Sequence, residues 1–265
     1  MDSEKIPIII PTYHKMERFL NSALNLLQHT WPSHGPTFIF TDDIYRGQIL
    51  NACKTFRFDS KLNWVEILYK GIKLFRSEYP EISNIYLILD DLVPLTSLNE
   101  EKMKLIEKSF IEREWQYLYY PHYNNDYKFD TNVNNSLFCQ TKKEYTYYSQ
   151  IGAGLIKVDY LIQLCELALM KEAYTPWQFE FLKSDENHYI TEYRWPSVKD
   201  GFSKSKFINN QAIDMLNYPE GQALRKLLKI QKKKELRLRA YRWILQKRKN
   251  LIHKAHFFKK LFLGC

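Results

Sequence analysis

An α/β fold built on a parallel sheet is predicted by three observations. Short apolar runs at 5–12, 36–41 and 85–89 alternate with two segments, 16–29 and 64–75, whose apolar residues recur at helical spacing. Each run ends in polar groups: Thr12, then Asp42 with Asp43, then Asp90 with Asp91. Prolines punctuate the runs (Pro7, Pro11, Pro94) where a missing N–H does little harm. Strand, helix, strand, helix, strand is the rhythm of crossover units. In such sheets ligands bind outside the carboxyl ends of the strands.

Taken in order, Ile8, Ile9 and Ile10 make the first strand a run buried on both faces. The first helix follows from Phe19, Leu20, Ala23, Leu24, Leu26 and Leu27. Pro36 to Thr41 reads as a second short strand, and Val65, Leu68, Ile72 and Phe75 mark the second helix. The run from Ile85 to Leu89 stops at two adjacent carboxylates, which repel each other unless a cation or hydrogen-bond donors offset them. Beyond it, 98–110 is expected to be helical and 115–120 to be a strand. The polar, Asn- and Tyr-rich stretch 121–143 reads as loop. A strand-like pattern resumes at 145–150, and 158–171 forms a further helix. Thr175 before Pro176 is a helix-start signal that puts Glu180 early in a short helix. From Trp195 to Lys204 a strand and a loop are expected.

Composition bounds the possibilities. With 265 residues, 45% of them apolar, the chain can bury one sizeable core, and its 19 Tyr and 16 Phe argue against disorder over most of its length. No apolar run approaches the roughly 20 residues of a membrane span, and the first residues lack the pattern of a secretory signal. Cys53, Cys139, Cys165 and Cys265 are too scattered for a zinc site and read as free thiols of a cytoplasmic protein. The net charge of +9 conceals an asymmetry. Residues 221–265 hold 15 Lys and Arg against the single acid Glu235, whereas 1–220 hold 24 basic and 29 acidic residues. The expected organisation is therefore a mildly acidic domain over 1–220 and a basic tail over 221–265.

Four places in the chain resemble the bacterial GT-A-type glycosyltransferases that build surface polysaccharides (capsule, O-antigen or lipooligosaccharide) from nucleotide sugars. The run Ile8 to Tyr13 looks like the first strand and turn that receive the nucleotide, and Leu87 to Leu92 is similar to the aspartate motif closing the nucleotide half. Tyr148 to Leu155, with Gln150, sits where the acceptor half begins, and Pro176 to Glu180 looks like the segment supplying a catalytic carboxylate. The resemblance covers roughly 1–215 and implies a Rossmann-type nucleotide-binding fold of the GT-A kind. It implies donor contacts from Pro11, Thr12, Tyr13, Asp42, Asp90, Asp91 and Gln150, with Glu180 as the catalytic base. The family's spaced Asp-x-Asp pattern is here a gapless pair. Aligning Asp91 with the last position leaves Leu89 in the first, with Asp91 as the ligand of a divalent metal, Mn²⁺ or Mg²⁺.

Sugar transfer from a nucleoside diphosphate needs the departing diphosphate neutralised, by a metal or by Lys and Arg. It also needs a base for the acceptor hydroxyl if the displacement inverts the anomeric centre, and a pocket that excludes water. Asp91 suits the first task and Glu180 the second, with Asp185 and Glu186 behind it. A carboxylate at a helix start is held as the anion, while burial against Trp177 and Phe179 opposes this. Asp42 and Asp43 suit ribose or base, or else form a solvated turn. Gly152 and Gly154 allow backbone approach near the donor sugar, and His14 reads as structural. Lys199, Lys204 and Lys206 belong to a loop that either touches diphosphate or stays solvated.

In the tail, Leu227, Leu228, Leu238, Tyr241, Ile244, Leu245, Leu251 and Ile252 form a rough helical stripe among basic residues, a pattern that lies on anionic lipid. The expected partners are thus a nucleotide sugar (UDP-sugar first), a glycan or lipid-linked acceptor, and the anionic inner face of the cell membrane, with no nucleic acid. A non-catalytic adaptor with a basic tail and a Mg²⁺-dependent phosphoryl-transfer enzyme are the competing classes.

Overall fold

The computed structural model describes residues 5–45, 49, 53–90, 92, 94, 96–121, 137–144, 148–196, 218, 219, 221–223 and 226. The chain divides into two units, Met1–Gly221 and Gln222–Cys265. In the first, the elements run β1 (Ile8–Pro11), α1 (Glu17–Thr30), β2 (Thr37–Asp42), β3 (Cys53–Phe58), α2 (Trp64–Glu78), β4 (Asn84–Ile88), α3 (Glu100–Glu112), β5 (Tyr117–Tyr120), β6 (Phe138–Gln140), β7 (Ala153–Lys157), α4 (Val158–Met170), α5 (Pro176–Phe179) and β8 (His188–Thr191). The α/β class holds. Among the described residues the strands form one mixed sheet ordered β3-β2-β1-β4-β7-β5-β8-β6.

The first four strands are parallel, with Ile9 opposite Phe38 on one side and Leu87 on the other. Antiparallel β7 then separates β4 from β5, which β8 continues in parallel and β6 closes antiparallel. The two-residue period of a strand sorts the core into two layers. Ile8, Ile10, Ile39, Tyr86 and Ile88 face Leu20, Leu24 and Leu27 of α1 and Met103, Ile106 and Phe110 of α3. Ile9, Phe38, Phe40, Ile85 and Leu87 face Val65, Leu68, Ile72 and Phe75 of α2 and Leu161, Leu164 and Cys165 of α4. Helices therefore cover both faces, so the central strands β1 and β4 are almost wholly apolar. Gly71 lets α2 lie close: a Cβ there would stand 2.4 Å from the Phe40 ring.

Local signals explain where helices begin. The Asn63 side chain accepts from Glu66 N (3.0 Å) while Glu66 returns a bond to Asn63 N (2.8 Å), a reciprocal cap at the start of α2. Asn99 caps α3 through Lys102 N. Thr175 caps α5 as expected, with Pro176 at its first position and Gln178 as the reciprocal partner.

Several expectations need correcting. The edge strand β3 was not legible as a strand, because Lys54 and Arg57 interrupt its apolar pattern. Exposed charges on an edge guard against further pairing. The stretch expected to be loop contains the three-residue β6, which among the described residues pairs with β8 alone. Residues 148–150 form a turn rather than a strand, and the strand starts at Ala153. Gly154, a poor strand former, hid it; pairing on both sides overrides that propensity. This glycine lies within the sheet between β4 and β5, where a Cβ would meet Leu118 O at 2.7 Å. The last strand ends at Thr191, and Trp195 lies beyond it, buried but not in a strand. Residues 122–136, 145–147 and 197–217 and most of the tail lie outside the described residues, including Lys199, Lys204 and Lys206.

Candidate active site

Strand order reverses around β1: β2 follows it on one side and β4 flanks it on the other. The crevice beyond the carboxyl ends at such a reversal is where ligands bind in open α/β sheets. Thr12, one residue past β1, donates its hydroxyl to Asp90 Oδ2 at 2.6 Å, joining two strand ends across this point. A short bond to an ionised acceptor is of the stronger kind. Pro11 and Thr12 are buried while Tyr13 is exposed. Asp91, expected to hold a metal, lies outside the described residues.

The turn bearing Asp90 is held on several sides. Leu89 N donates to Gly152 O, and Leu92 N closes the turn onto Leu89 O at 2.9 Å. The buried indole of Trp195 donates Nε1–H to Leu92 O at 2.6 Å, and Tyr193 OH accepts from Asn99 N at 2.9 Å. The segment after β8 thus grips both ends of the 92–99 connection that follows the aspartates. Trp195 packs edge-on to Trp31 and tilted on Tyr120. Nothing in the spacing of the sequence pointed to this grip.

Asp42, which ends β2, is 4% exposed. Its Oδ2 accepts from both the backbone N (3.0 Å) and Nδ1–H (2.8 Å) of His14, and its Oδ1 from Tyr45 N (3.0 Å). Burial works to raise the Asp42 pKa, yet these donors and the adjacent imidazole outweigh it and hold the carboxyl below the usual range. Three acceptor positions of this carboxylate are taken within the protein, two of them by His14. Asp43 is exposed and accepts from Ser60 N, a turn role.

Glu180 is displaced from its expected place. The short helix expected to hold it is only Pro176–Phe179, and Glu180 is its C-cap rather than a residue of its first turn. Trp177 is 63% exposed, and of the two aromatic neighbours only Phe179 is buried. Phe179 meets Trp64, the first residue of α2, with ring centroids 6.0 Å apart. This contact ties α5 to the first turn of α2, which follows β3. Glu180 also lies close enough to Tyr117 to add to the effect of burial, which pushes that phenol far above its ordinary range.

Gln150 is buried in the turn leading to β7; its carbonyl accepts the Tyr117 hydroxyl, and Ser149 N donates to Glu180 O at 3.2 Å. Asp185 and Glu186 are exposed just before β8, whose first residue, His188, pairs with Tyr117 at the amino end of β5. They therefore stand at the opposite edge from Asp90.

Among the described residues no three His, Cys, Asp or Glu side chains are grouped to hold a metal. Mg²⁺ carried by a diphosphate needs only one or two carboxylates besides the phosphates, and the carboxylate expected to supply one, Asp91, lies outside the described residues. Cys53, Cys139 and Cys165 are free, and burial pushes the first two up to about 11. Among the described residues no helix is long and apolar enough to cross a membrane. The chain matches no protein-family model, and no curated protein matches it.

Proposed function

We propose that the protein is an inverting, nucleotide-sugar-dependent glycosyltransferase of GT-A type. The observation that carries this reading is the Thr12–Asp90 hydrogen bond at the strand-order reversal. The nucleoside lies over the ends of β1 and β2, and its diphosphate at the turn of Asp90 and Asp91. A divalent metal arriving with the donor supplies neutralisation of the departing diphosphate. Thr12 orients the Asp90 carboxylate. Glu180 takes the proton from an acceptor hydroxyl as its oxygen bonds to the anomeric carbon. The bond from that carbon to the diphosphate breaks on the opposite face, and the electron pair leaves with the nucleoside diphosphate. Loss of water from the site favours the acceptor over hydrolysis. The basic tail supports action at an anionic membrane surface on a glycan or lipid-linked acceptor.

The test is Glu180→Gln, which keeps size and hydrogen bonding but not basicity. Turnover should fall by roughly 10²–10⁴-fold while donor binding survives. Donor binding is measured by thermal shift, in which a ligand at a hundred times its Kd adds about 2.7 kcal/mol. A variant that keeps most of the wild-type rate removes Glu180 from the chemistry. Absence of any shift with UDP-, GDP- or CMP-sugars sinks the nucleotide-sugar reading.

A further inference from the structure

We propose that His14, oriented by Asp42, binds a ribose hydroxyl of the donor and makes the site one for ribonucleoside diphosphate sugars. The proposal rests on the nucleotide-sugar reading above and deepens it. In nucleotide-binding α/β sheets an acid at the end of the second strand commonly takes the ribose hydroxyl. Asp42 stands at that place, yet its carboxylate already accepts three hydrogen bonds inside the protein. The group it holds out instead is the His14 ring, whose side chain is 35% exposed.

With Nδ1–H committed to Asp42, the ring's other nitrogen, Nε2, diverges from the carboxylate. It makes no hydrogen bond among the described residues. A hydroxyl suits this nitrogen in either protonation state. Neutral, Nε2 accepts the O–H; protonated, it donates to the hydroxyl oxygen. A diphosphate suits it poorly, because an imidazolium paired with Asp42 at 2.8 Å is a neutral unit. Beside it the exposed Tyr13 ring stands edge-on, centroids 6.1 Å apart, an aromatic surface of the kind on which bases stack. Asp42 is then a positioning residue acting through His14.

The experiment is calorimetric titration of the full chain and of His14→Ala and His14→Gln with UDP and GDP and their 2′-deoxy and 3′-deoxy counterparts. Gln replaces the donor to Asp42 without supplying a second ring nitrogen, so it keeps the test available if the alanine variant does not fold. The wild type should bind a ribonucleotide about five- to tenfold more tightly than at least one deoxy counterpart, the worth of one neutral hydrogen bond. The folded His14 variant should bind the ribonucleotide weaker by the same factor and bind the deoxy form as the wild type does. Equal binding of all forms by the wild type, or discrimination that survives in the variant, overturns the role of His14 alone. If the wild type binds no nucleoside diphosphate, the underlying reading fails and this proposal with it.

Discussion

The two halves of the sheet dispose of their polar groups in opposite ways. In the parallel half, β3-β2-β1-β4, the inner strands β1 and β4 are apolar, and the polar side chains of Thr12, His14, Asp42 and Asp90 gather at the carboxyl ends of β1, β2 and β4, paired strand to strand. In the mixed half, β7-β5-β8-β6, polar groups go into the core. His188 is wholly buried there; its Nδ1–H donates to Tyr148 O at 2.9 Å, and Tyr160 OH donates to its Nε2. Tyr148 stacks on the ring at 4.2 Å, and Tyr117 meets it edge-on. Both ring nitrogens of His188 are satisfied internally, so this network contributes rigidity. At the parallel edge Thr12 and Asp42 are buried, while their partners Asp90 and His14 remain partly exposed, where they can meet a substrate. Changes in the mixed half should therefore cost stability, and changes at the parallel edge should cost binding and turnover.

The largest stability effect expected is a pH dependence set by His188. Burial lowers its pKa from 6.5 to about 4. Between these values the unfolded chain binds a proton that the folded chain does not. Stability is therefore full above pH 6.5 and is lost as pH falls toward 4, by about 3 kcal/mol in all. Glu107, whose pKa burial raises, opposes this in the carboxylate range. Urea melts of wild type and His188→Gln at pH 7 and pH 5 isolate the histidine: the variant should be less stable at pH 7 and show a shallower slope. Equal slopes would place the pH sensitivity elsewhere and weaken the contrast between the halves.

Next in size is Gly154→Ala. Its Cβ would meet backbone, the Leu118 carbonyl at 2.7 Å, which cannot swing aside. Overpacking of this kind costs about 1–3 kcal/mol. Nucleotide affinity, measured at a temperature where the variant is folded, should be unchanged, and a selective loss of affinity would restore a donor-site role for this glycine.

The smallest stability effect is expected from Thr12→Val, which keeps shape and removes the hydroxyl that reaches Asp90. The melting midpoint should report about 1.5 kcal/mol, the low end for a hydrogen bond to a charged group. The KM for the donor should nevertheless rise clearly, since Asp90 loses its orientation. A variant with normal KM but a large drop in stability would make the edge pair structural, like the His188 network.

Much of this was legible because it is local. Runs such as Ile8 to Ile10 and Ile85 to Ile88, the helical periodicity of α2 and α4, and the Thr175–Pro176 start signal are each set by neighbours within a few residues. So were the strand-end positions of Thr12, Asp42 and Asp90. Strands β3, β6 and β8 were obscured because short or charged segments become strands only when a partner supplies their hydrogen bonds. Glu180 was recognisable as an acid after Pro-Trp-x-Phe, but not as the cap of a one-turn helix.

By itself, then, the sequence determined which segments are apolar, where they stop, and which polar residues stand at their ends, because periodicity and turn chemistry act over short distances. Only the tertiary structure decided which of those residues meet. Thr12 reaches Asp90 across 78 positions, His14 reaches Asp42 across 28, and Trp195 reaches Leu92 across 103. These pairings follow from strand order and from the packing of the connections. The same order turns Asp42 inward and leaves His14 at the edge, because a buried carboxylate is stable only when the fold supplies it with donors.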